Sequence, residues 1–311
     1  MNLEPPSAAG EFPGSLPQTF LERHGISSVL FALISLLVVF VLYQVIGGIV
    51  ALVLFGVSPL SQHVTGIRVG TFVGQVVFIL LPTIVLTGLA TTQRCSFLRL
   101  RVPGWQQLVI PLVGIFSLQQ MLQVYMVLQS KIPVPEALRP VVEQLKILFE
   151  ETYRVLLTSS TVPELLFVIL VVALVPAVAE EFLFRGLVQS SFEHGVGANI
   201  GVVLTAVIFA LYHLNPFSII PLMGLGLYLG FLVYRSGSLW VSVAAHFYNN
   251  CMACIAVYLG MDEDFLVSGK PESVQPAAMI LTFVAFAVVF SLSTYYFVRI
   301  TSPSTAPSEE G

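Results

Sequence analysis

The chain has 311 residues, of which 56% are hydrophobic and 10% charged, with a net charge of −4. A soluble domain carries about 25% charged residues, so this composition cannot cover a water-facing surface, and no basic stripe exists to hold nucleic acid. Long unbroken apolar runs also exclude a transmembrane β-barrel, whose strands alternate.

Residues 1–26 are rich in Pro, Gly and Glu and lack the basic start of a cleaved signal peptide, so they read as a disordered cytoplasmic tail. Apolar stretches long enough to span a bilayer lie near 27–56, 69–91, 105–129, 162–188, 197–213, 218–234, 238–260 and 277–300. The predicted fold is all-α: a polytopic transmembrane bundle of about eight helices around a polar intramembrane cavity, or seven if the two short segments do not cross. It divides into N-terminal transmembrane helices over 27–130, a connector over 131–160, a core over 161–260, a loop and last helix over 261–301, and a disordered tail over 302–311. In the connector, Leu138, Val141, Val142, Leu145, Leu148 and Phe149 recur at helical spacing. Arg139, Glu143, Lys146, Glu150 and Arg154 take the other face. This amphipathic helix, over 134–158, reads as an interfacial connector or a lid.

Arg23, Arg94, Arg99, Arg101, Arg185, Arg235 and Arg299 would share one side of the membrane, with Arg68, Lys270 and the acidic run Asp262-Glu263-Asp264 opposite. The short loops therefore predict both termini in the cytoplasm, in a multi-pass protein of a prokaryotic plasma membrane. No internal repeat supports a transporter of inverted-repeat type. Gly197–Gly201 and Gly226–Gly230 have the GxxxG spacing of closely packed helices. Cys95, Cys251 and Cys254 give no disulfide framework, and Cys251 and Cys254 read as packing thiols of an apolar helix.

Ionisable groups within apolar spans mark the chemistry, because charge at membrane depth is costly unless paired or functional. Glu180 and Glu181 end the apolar run 167–179, and Arg185 follows. Glu181 and Arg185 are four apart and face each other on a helix, whereas Glu180 is turned by about 100°. Arg185 can thus neutralise Glu181 and leave Glu180 free. Pro176 cannot donate to the Val172 carbonyl and can bend the helix just before the pair. Phe209 and His213 share a face at the end of a later helix, and so do His246 and Asn250 on another. Each group alone also fits a structural role: an interfacial ion pair, a helix-end histidine, hydrogen-bonding glue between helices. Together they supply what amide hydrolysis needs: a carboxylate to take a proton from water, a histidine beside it, and uncharged donors for the oxyanion.

The three motifs, EExxxR at Glu180, Glu181 and Arg185, FxxxH at Phe209 and His213, and HxxxN at His246 and Asn250, resemble the CPBP intramembrane protease family. That family groups CAAX prenyl endopeptidases with bacteriocin-processing proteins, and the resemblance covers about residues 160–257. It implies an eight-helix bundle around a cavity open to the cytosol, and a glutamate-dependent endopeptidase acting on a membrane-anchored protein or peptide. Carried over, Glu180 is the general base, His213 holds the water, and His246 and Asn250 form the oxyanion hole. Glu181, Arg185 and Phe209 support them. No cofactor is implied, although Glu180, His213 and His246 could in principle form a His₂Glu zinc set. A non-catalytic immunity or scaffold protein and a proton-coupled transporter stand as the competing readings.

Overall fold

A computed structural model describes residues 19–56, 62–261 and 275–302. The 262–274 loop, with its acidic run and Lys270, and most of both tails lie outside the described residues. Phe20–His24 (α1), within the stretch expected to be tail, is a helical turn capped by Thr19 and Glu22.

The described chain is all-helical, a multi-pass bundle. Six of its helices are long and apolar enough to cross a membrane: Ser28–Phe55 (α2), Val64–Ala90 (α3), Trp105–Ser130 (α5), Val162–Val196 (α7), Ile219–Ser236 (α9) and Pro276–Ile300 (α11). Arg94–Phe97 (α4) is a short turn before α5. The other two expected spans are Ala198–Tyr212 (α8) and Leu239–Tyr258 (α10), which carries His246, Asn249 and Asn250. With 15 residues, α8 is about 22 Å long, short of a hydrocarbon core of about 30 Å. It is therefore too short to cross that core by itself, and His213 is its C-cap.

The central element is α7, which packs against α2, α3, α8, α9 and α10. Its lower half, Leu183 to Glu193, is buried throughout. Leu183, Phe184, Leu187 and Phe192 form one apolar core with Phe31, Leu36, Val39 and Phe209. A second core joins α5, α9, α10 and α11 through Ile115, Leu229, Val241 and Phe297.

A polar stripe also runs down α7 with a four-residue repeat: Glu181, Arg185, Gln189 and Glu193. Arg185 donates to the Gly226 carbonyl at 3.3 Å and Gln189 to the Gly230 carbonyl at 3.1 Å. Glu193 forms a buried ion pair with Arg99 and accepts from Gln189 at 2.7 Å. The Gly226–Gly230 spacing makes this approach possible. A Cβ at Gly226 would lie 3.0 Å from the Ala206 Cα, and one at Gly230 would lie 2.8 Å from Gln189 Oε1.

The amphipathic connector is helix Arg139–Leu157 (α6). Arg68, 2% exposed, grips its C-terminal end. The guanidinium donates to the Leu156 carbonyl at 3.2 Å, the Val155 carbonyl at 3.1 Å and the Thr158 carbonyl, and pairs with Glu164 at 2.8 Å. A cation suits the unsatisfied carbonyls of a helix C-terminus. Further along α6, Phe149 meets Phe217 edge-on, and the Lys146 ammonium lies 5.7 Å from the centre of the same ring. So α6 bridges from the start of α3 and α7 to the loop that follows His213.

Candidate active site

Four stretches are wound as π-helix: Val41–Ile46 in α2, Gln75–Leu80 in α3, and Ile169–Leu174 and Phe182–Gln189 in α7. Such turns shift the helical hydrogen-bond ladder by one residue and recur at functional sites. Here three of them carry Tyr43, Gln75 and Arg185, and Ile169–Leu174 supplies the Val172 carbonyl to Asn250.

Glu181 and Arg185 are both wholly buried and paired at 2.9 Å. The Arg185 guanidinium also lies 4.4 Å from the centre of the Phe209 ring. Phe209 meets the His213 ring at 4.6 Å and the His246 ring at 6.3 Å, both edge-on. This explains its place in the motif: its face holds the cation while its edges set the two imidazoles.

Glu180 points away from that pair. Its side chain is 14% exposed, and Oε2 lies 3.9 Å from His213 Nε2. His213 Nδ1–H donates to the Phe209 carbonyl at 2.7 Å. Since a carbonyl only accepts, the neutral ring has a bare Nε2 facing the Glu180 carboxylate. A separation of 3.9 Å is too long for a direct hydrogen bond and lets one water touch both groups.

His246 Nδ1–H donates to Glu181 Oε1 at 2.8 Å. The sequence reading had His246 donate to an oxyanion while uncharged. With Nδ1–H committed to Glu181, Nε2 can donate only when the ring carries both protons. Asn250 donates one amide hydrogen to the Val172 carbonyl at 3.2 Å and accepts from Asn249, also at 3.2 Å. Val172 is the residue whose carbonyl Pro176 cannot serve, so Asn250 fills a bond that the proline removes, and its second N–H is left over.

Sequence reasoning missed three groups around Glu180. Gln75 Nε2 donates to Glu180 Oε1 at 3.3 Å and to the Tyr43 hydroxyl at 3.5 Å. Gln44, next to Tyr43, donates to the Tyr212 carbonyl at 3.3 Å and so ties α2 to the end of α8. From α6, Tyr153 comes within electrostatic reach of Glu180. The Tyr153 residue keeps 53% of its surface open. Polar residues in an apolar span were the available signal for Gln75 and Tyr43.

Among the described residues no three His, Cys, Asp or Glu side chains gather closely enough to hold a metal ion, and this includes Glu180, His213 and His246. Cys251 and Cys254 are free thiols, half-buried and buried, in a cluster with Leu157, Val168 and Ala173.

Residues 162–252 match the family model described as Type II CAAX prenyl endopeptidase Rce1-like. The chain carries an Rce1-like domain. This is the domain of a family of CAAX intramembrane proteases, the family that the three motifs resemble. No curated protein and no solved structure matches the chain. The Rce1-like domain runs from the start of α7 into α10 and contains every motif residue. Tyr43, Gln75 and Tyr153 lie outside it.

Proposed function

We propose that the chain is a glutamate-dependent intramembrane endopeptidase. The observation that carries this reading is the Glu180–His213 gap, with His213 Nδ1–H fixed on the Phe209 carbonyl. A water there donates one hydrogen to Glu180 Oε2 and the other to His213 Nε2, which leaves an oxygen lone pair free to attack.

In the reaction, Glu180 takes a proton as the water oxygen bonds to the substrate carbonyl carbon. The second Asn250 N–H and, when the ring is doubly protonated, His246 Nε2–H stabilise the developing oxyanion. The intermediate collapses with cleavage of the C–N bond, and Glu180 returns its proton to the leaving amine. Glu181 holds His246 in position and Arg185 balances Glu181. No step needs a metal. The substrate is a membrane-associated peptide, either a prenylated CAAX-type C-terminus or a leader-type segment.

The test uses purified protein in detergent micelles with two fluorescence-quenched peptides, one ending in prenyl-cysteine plus three residues and one of leader type. Wild type cleaves at least one of them, and metal chelation leaves the rate unchanged. Glu180→Gln lowers kcat by about 10²–10⁴, and Asn250→Ala by about 10²–10³. A fully active Glu180→Gln enzyme, or a wild type that cleaves neither peptide, defeats the reading.

A further inference from the structure

The Rce1-like domain holds only one side of the Glu180 carboxylate; the other side is held from α3. Gln75 is 5% exposed in an apolar helix, and a buried amide is costly there without partners. Both of its amide hydrogens are in use, on Glu180 Oε1 and on the Tyr43 hydroxyl. Gly74 lets this happen: a Cβ there would lie 3.2 Å from Tyr43 Cε2, so the bare backbone admits the ring against α3 beside Gln75. Both residues sit in π-helical stretches of their helices.

A carboxylate has two oxygens and one free torsion. With Oε1 held by Gln75, Oε2 faces His213. Arg185 is a competing attractor, since its guanidinium is within electrostatic reach of Glu180. Without Gln75 the side chain is free to turn from His213 toward that cation.

We propose that Gln75 is a positioning residue of the hydrolytic site, itself set by Tyr43, so that the working site extends beyond the Rce1-like domain into α2 and α3. This rests on Glu180 being the base. The experiment measures kcat and KM of the full chain on whichever of the two peptides wild type cleaves, together with thermal melting in detergent. Gln75→Met and Gln75→Leu lower kcat about ten- to hundredfold, the effect of one hydrogen bond to a charged group, with KM within about twofold and melting unchanged. Tyr43→Phe lowers kcat about threefold, as for one neutral hydrogen bond. Combined with Gln75→Met it adds nothing, because Tyr43 acts through Gln75. The inference is overturned by wild-type kcat in both Gln75 variants, by a loss confined to KM, by independent multiplication of the Tyr43 and Gln75 effects, or by a melting drop that tracks the lost activity. A wild type that cleaves neither peptide overturns the protease reading itself, and that outcome is distinct from an active enzyme indifferent to Gln75.

Discussion

Glu180 and Glu181 differ by one position and by almost everything else. Glu181 is wholly buried, with Arg185 and His246 both on Oε1, while Glu180 faces a gap. Removing one partner of a buried ion pair leaves an uncompensated charge and costs about 3–5 kcal/mol, whereas replacing both by apolar groups of similar volume is often neutral. Glu181→Leu should therefore lower the melting temperature sharply. The double variant Glu181→Leu/Arg185→Met should restore melting but not activity, since His246 would still lack its acceptor. Thermal melting and peptide cleavage on the same preparations check this; a double variant that cleaves at the wild-type rate would remove Glu181 from the mechanism. The pair was legible because a four-residue spacing acts within one helix. The Gln75–Glu180 bond joins residues 105 apart, and nothing local signals it. The tautomer of His246 was also hidden, because the hydrogen bond that decides it crosses from α10 to α7.

At the scale of elements, the GxxxG spacings said only that helices pack closely. The structure gives the reason: the bare backbone lets α8 pack on α9 at Gly226 and lets α7 bring Gln189 to the Gly230 carbonyl. Gly226→Ala would push against Ala206 backbone and Cβ at 3.0–3.2 Å, whereas a Cβ at Gly224 would lie 3.5 Å from a Leu122 methyl group, an ordinary contact. Overpacking of this kind costs about 1–3 kcal/mol. Gly226→Ala should lower both melting temperature and cleavage, with Gly224→Ala near wild type. Equal behaviour of the two would mean that α8 and α9 are not held by this approach. The amphipathic period of α6 was readable along the chain. Its anchorage on Arg68 was not, because the helix-end carbonyls that Arg68 binds leave no trace in side-chain pattern. The π-helical stretches were equally hidden, since a one-residue shift in the backbone ladder barely disturbs an apolar run.

For the whole molecule, two expectations collide. The short loops put Arg94, Arg99, Arg101, Arg235 and Arg299 at one end of the bundle, and the positive-inside rule makes that end cytoplasmic. The resemblance implies a cavity open to the cytosol. Yet below Glu180 toward the arginine-rich end, Leu183 to Glu193 are buried without a break, and Tyr153 of α6 comes within electrostatic reach of Glu180 from the opposite end. The positive-inside rule weighs short loops most, and the α6 connector, with its acidic residues interspersed, is not one. The expected orientation is therefore arginine end inward, with α6 and Tyr153 on the side away from the cytoplasm. Cys95 lies exposed at the arginine end, while Cys251 and Cys254 are half-buried and buried. A membrane-impermeant maleimide should label Cys95 in inside-out vesicles and not in sealed right-side-out ones. Such labelling would favour a leader-type substrate reached from the outer face over a prenylated C-terminus made in the cytosol. Labelling only from the outside would reverse the orientation and restore the cytosolic CAAX-type substrate.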